Sequence, residues 1–246
     1  MIRATVILTL LVSACRSGGN DAPQPPPEPV GEPPPAAGLG DEPEPTLKEH
    51  MQGHFTAITE IERALVANDL ARAKERATWL AEHRPHDAVE SWEPHLDAVA
   101  EAARSLAASE DLAGAAKLAA TLGNECAACH LETTAITSFP YAELPAAGSD
   151  TKSQMKRHQW AADRLWEGLI GPSELSWIQG AEILAAGEFV PQVTLPDDKR
   201  AEVAAFASKA HALGRAAVDA ERSARSNLYA ELLVTCSSCH AIARKR

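Results

Sequence analysis

Aromatic residues make up only 4% of this 246-residue chain. With so few of them and with Ala and Leu abundant, a sheet-rich core is disfavoured and close-packed helices are favoured. Methionine is scarcer still: beyond Met1 there are only Met51 and Met155. Of five cysteines, four fall into two short motifs, and the fifth, Cys15, ends an N-terminal apolar run. None is left over for a structural disulfide. That apolar run, Ala4 to Leu11, is too short to span a bilayer, and no later stretch is apolar enough. Basic charge is in deficit, with 23 Lys and Arg against 34 Asp and Glu for a net −11. Such a balance keeps a protein soluble and repels nucleic acid and anionic lipid.

What the chain does have is Cys126-Ala-Ala-Cys129-His130 and, 110 residues later, Cys236-Ser-Ser-Cys239-His240. C-x-x-C-H is the spacing of a c-type haem attachment site. Two thiols one helical turn apart can add to the vinyl groups on one porphyrin edge, and the following imidazole then points at the iron. The reading is two covalently attached haem c groups, on Cys126 and Cys129 and on Cys236 and Cys239, with His130 and His240 as iron ligands. A single Cys₄ zinc site would leave both histidines idle and the repetition unexplained.

The first 15 residues read as a bacterial lipoprotein signal. Arg3 supplies a basic start, Ala4 to Leu11 a short apolar core, and Val12-Ser13-Ala14-Cys15 resembles a lipobox. On this reading residues 1–14 are cleaved, Cys15 is lipidated, and the chain faces the periplasm, bound to a membrane through that lipid alone. Loss of Arg3 makes the net charge one unit more negative, which steers the protein toward basic redox partners. Residues 15–46 form a tether, with ten prolines from Pro23 to Pro45 among acidic and small residues. That composition cannot build a core, and in extended form it would reach up to about 95 Å.

Helical periodicity takes over at Thr46. Thr46 and Glu49 spell a capping box, and Met51, Phe55, Ile58, Ile61 and Leu65 recur at spacings of three and four. Asn68-Asp69 breaks the stripe. A second helix runs to about Glu82, a third from about Pro94 to Ala108, and a fourth ends at the first cysteine motif. Residues 132–150, with Pro140, Pro145 and Gly148, read as a linker. Then the pattern restarts. A shift of 104 residues superposes Met51 on Met155, His54 on His158, Leu65 on Leu169 and Leu80 on Leu184. The cysteine motifs lie 110 apart, so the second unit should carry six extra residues, expected around Gly187 to Asp198. Its helices should cover about 152–169, 173–186, 198–217 and 220–243. The expected fold class is all-α: two tandem antiparallel four-helix bundles, 47–131 and 151–246, each with one covalent haem c.

These features resemble the class II c-type cytochromes, the cytochrome c′ and low-spin c-556 group. The ending from Cys236 to Arg244-Lys245-Arg246 is close to that family's basic tail, and Met51-x-x-His54-Phe55 resembles the start of its first helix. The resemblance covers nearly all of the chain beyond the tether. There are two departures: the family usually has one unit per chain, and Leu131-Glu132-Thr133-Thr134 follows His130 where a basic tail is expected. In the family the distal side of the iron is either open or taken by a Met on the first helix. Here Met51 or His54, and Met155 or His158, share a helix face at i and i+3, so Met, His and an open position all remain as alternatives. His50, His83, His86, His95 and His211 read as surface or structural residues.

Two haems, a flexible lipid tether and no other catalytic constellation suit an electron carrier between redox proteins, not an enzyme. The alternative is binding or sensing of nitric oxide or carbon monoxide at a five-coordinate iron. A di-haem peroxidase fits poorly, because those enzymes place the motif near the start of each haem domain and here it closes each one.

Overall fold

A computed structural model describes residues 46–85, 88–187 and 195–243. The expected signal and most of the tether, Cys15, His86 and the basic tail Arg244-Lys245-Arg246 lie outside the described residues. The described residues are all-α.

Helix α1 (Leu47–Val66) starts on the expected capping box: Thr46 Oγ1 accepts from the Glu49 N–H at 3.4 Å, and the Glu49 carboxylate accepts from the Thr46 N–H at 2.8 Å. It ends at Asn68, whose φ of 65° is left-handed. That conformation lets the N–H groups of Asn68 and Asp69 turn back to the carbonyls of Leu65 and Ala64. Asp69 then caps α2 (Leu70–Glu82) through the Arg72 N–H. A connection with a short 3-10 turn at Glu90–Trp92 leads to α3 (Glu93–Ala107), and Asp111 caps α4 (Leu112–Glu132). In the second half Asp150 caps α5 (Thr151–Ile170) and Ser173 caps α6 (Glu174–Ala186), followed by α7 (Asp197–Val218) and α8 (Arg222–Ala243).

The internal repeat is visible in these lengths. Helices α1 and α5 both have 20 residues, and α2 and α6 both have 13. The extra residues of the second unit, however, do not sit in the connection before α7. Helix α7 has 22 residues where α3 has 15, while the turn into α8 is one residue shorter than its counterpart. The insertion lengthens a helix. Pro196 precedes it, and Asp197 and Asp198 fill its first turn, where acidic side chains meet the positive end of the helix dipole.

Within each half every helix packs on the next in sequence. The halves also meet broadly. Helix α4 lies along α8, α1 reaches α8, and α5 reaches α4. One apolar core therefore runs through both, including Ile61, Leu65, Leu106, Leu122, Leu165 and Leu233. At its centre the Trp166 indole stacks on the Tyr229 ring, centroids 5.0 Å apart. A side chain at Gly123 of α4 would come within 3.0 Å of that indole. At Gly180 a Cβ would stand 2.6 Å from the Ala161 carbonyl, and at Gly168 one would stand 2.6 Å from the Trp177 backbone nitrogen, so both glycines are needed for α5 and α6 to approach this closely.

Residues 135–148 hold no regular structure and lie against both halves. The Phe139 ring is 5.3 Å from Phe55, Thr137 donates to the Gly171 carbonyl, and Trp160 donates to the Ala142 carbonyl. Among the described residues no helix is long and apolar enough to cross a membrane.

Candidate functional site

Both cysteine motifs lie in the final turns of a fourth helix, the first on α4 and the second on α8. Helical spacing puts the two thiols of each motif on one face, with the histidine one turn beyond the first cysteine. His130 Nδ1 donates to the Ile170 carbonyl at 2.9 Å, and His240 Nδ1 donates to the Val66 carbonyl at 2.8 Å. A carbonyl can only accept, so Nδ1 carries the proton in both rings. Nε2 is then the lone-pair nitrogen, the tautomer a metal-ligating imidazole needs. Burial holds His130 below the usual histidine range and so favours the neutral ring.

In the second half these groups face a cavity of about 330 Å³ between α5, α7 and α8. Its walls include Cys236, Cys239 and His240 from α8, Met155 and His158 from α5, and apolar Val203, Phe206, Ala207 and Ala210 from α7. Val66, at the end of α1, closes part of it from the first half. All four second-unit residues singled out from the sequence, with the alternative His158, are thus gathered around one space.

Behind His158 stands His211, buried, its ring edge-on to His158 at 4.9 Å and its Nδ1 donating to the Leu184 carbonyl at 2.7 Å. Burial, helped by His211 and His240 nearby, pushes His158 down to about 4. His211 has no mate in the first unit, so the repeat did not reveal its place. The reason is local. Gly187 makes room for the ring, since a Cβ there would stand 2.6 Å from His211 Cε1, and the first unit has His83 at that repeat position.

In the first half Met51 and His54 lie half-buried on α1. His54 Nε2 donates to the His83 carbonyl at 2.9 Å, with the His50 ring 4.2 Å away. Burial, with His50 adding to it, pushes His54 down to about 4. His83 stacks on Trp79 at 3.7 Å and donates through Nδ1 to that residue's carbonyl, so it serves as a brace. His95 lies 3.3 Å from Glu132 at the end of α4.

None of the four motif cysteines is paired in a disulfide. Burial pushes Cys126 and Cys236 up to about 12 and raises Cys129 and Cys239 as well. A thiol held neutral by burial is a weak nucleophile toward disulfides. Among the described residues no three His, Cys, Asp or Glu side chains converge into a metal cage. A haem iron asks the protein only for axial ligands. Comparison with protein-family models, with curated proteins and with solved structures returns no match, so the reading of this site rests on its own residues.

Proposed function

We propose that the chain is a di-haem c-type cytochrome, related to the class II group, that carries electrons between redox proteins. One haem c would be held by Cys126, Cys129 and His130, the other by Cys236, Cys239 and His240. The observation that carries this is the second-half cavity. It brings two thiols, an imidazole in the ligating tautomer and a thioether to the edge of one largely apolar space. These residues fit a covalently held haem. Bound haem supplies one-electron chemistry at iron, and the chain holds it, orients its ligands and shields it from water.

On the distal side the two halves together favour methionine. In the first half the Nε2 of His54 is committed to a backbone carbonyl, which leaves Met51 as the remaining candidate on that face. Met155 holds the same repeat position and lines the cavity. The carrier would be tethered through a lipid on Cys15 at the bacterial cell envelope, and its acidic surface would steer it to basic partners. Optical spectra of the purified protein, oxidised and reduced, test the carrier role. Both haems are expected to be six-coordinate and low-spin, and the reduced protein should not bind carbon monoxide. Ready carbon monoxide binding by the native protein would replace this role with gas binding.

A further inference from the structure

We infer that each half of the chain completes the proximal haem site of the other, by presenting the last carbonyl of its first helix to the other half's motif histidine. The inference rests on the di-haem reading. A helix end leaves its final carbonyls without partners inside the helix. At the end of α1, the carbonyls of Arg63, Ala64 and Leu65 take the N–H groups of Ala67, Asp69 and Asn68. The Val66 carbonyl comes next, and it takes His240 Nδ1. At the end of α5, the Glu167 carbonyl takes the Gly171 N–H, and Pro172 brings no N–H of its own. The Ile170 carbonyl takes His130 Nδ1.

The exchange is reciprocal. Val66 and Ile170 hold the same position in the repeat, and so do His130 and His240. Here both bonds cross between halves, in line with the packing of α1 on α8 and of α5 on α4. A hydrogen bond at Nδ1 fixes the plane of a ligating imidazole and makes it a stronger donor to the metal. Val66 and Ile170 are therefore positioning residues that act through their backbone oxygens, each on the iron of the opposite half. The chain is one co-dependent pair of sites, with the potential of each haem set in part from across the interface.

The test uses the full-length, haem-loaded protein. In the reduced state, NMR should show the Nδ1 protons of both motif histidines protected from exchange. Their nuclear Overhauser contacts should run to Val66 and Ala67 for His240, and to Ile170 and Gly171 for His130. Asn68→Val forces a β-branched residue into the left-handed conformation that shapes the end of α1, whereas Asn68→Gly keeps it. Asn68→Val should raise the midpoint potential of the haem on Cys236 and Cys239 and leave the other haem unchanged. Asn68→Gly should leave both at their native values. Overhauser contacts confined to the histidine's own half, or a shift confined to the haem on Cys126 and Cys129, would overturn the inference. Should Asn68→Val fail to fold, the native spectrum decides alone. A chain without haem would overturn the cytochrome reading instead, and the same spectrum would still read the two cross-half bonds.

Discussion

Glu62→Leu should flatten the pH dependence of unfolding between about pH 4.5 and pH 8, over which this single carboxyl costs the native protein roughly 4–5 kcal/mol. Glu62 sits on α1 with no exposed surface, and its Oε2 lacks a hydrogen-bond partner. Tyr229 of α8 donates to Oε1 at a long 3.4 Å. Burial, helped by the Asp163 charge on α5, pushes the group from 4.5 up to about 8, and neighbouring Arg63 offsets only part of that. In the unfolded chain the carboxyl ionises near its ordinary value, while in the folded chain it stays neutral to about pH 8. The folded state thus binds more protons across this window, so stability falls as pH rises through it and levels off above. Asp163 and Glu167 are also raised by burial, so the native profile has other contributors. The difference between native protein and variant isolates Glu62. Urea unfolding at pH 5 and pH 8 should show the variant gaining most of that stability at the higher pH. Equal losses in both proteins would mean that Glu62 ionises normally.

Met155→Ala should turn one haem of the two high-spin and lower its midpoint potential, because a thioether ligand raises the potential of haem iron. The ferric charge-transfer band of Met-bonded iron should fall to about half of its native intensity. His158→Ala should leave both haems low-spin. Met155 lines the same cavity as His240, and the first half ties up the imidazole equivalent to His158. A spin change in His158→Ala but not in Met155→Ala would make the second site bis-histidine, with His211 as the brace behind the ligand.

The helices were largely legible in the sequence because their signals are local. Thr46 and Glu49 form the expected box, Asn68-Asp69 ends α1, and the expected 152–169 and 173–186 differ from α5 by one residue at each end and from α6 by one at its start. The motif spacing likewise placed both sites near the ends of fourth helices. The joining of the halves was not legible. It depends on contacts such as His240 with Val66 and Tyr229 with Glu62, residues 174 and 167 apart in the chain. Periodicity reports which face of a helix is apolar, not which neighbour covers it. Glu62 illustrates this, since the matching position of the second unit holds Trp166 and both side chains are buried beside Tyr229. The six extra residues were misplaced for a related reason: a gap in an alignment marks added length and does not say whether that length is helix or loop.

The central claim is two covalent haems on one chain, and intact-protein mass spectrometry of material matured in a host that attaches haem c tests it most directly. The account predicts the mass of the polypeptide plus two haems under denaturing conditions. It also predicts loss of one haem when Cys236 and Cys239 are both replaced by Ala, and loss of the other when Cys126 and Cys129 are. A denatured mass carrying one haem or none in the native chain would contradict it.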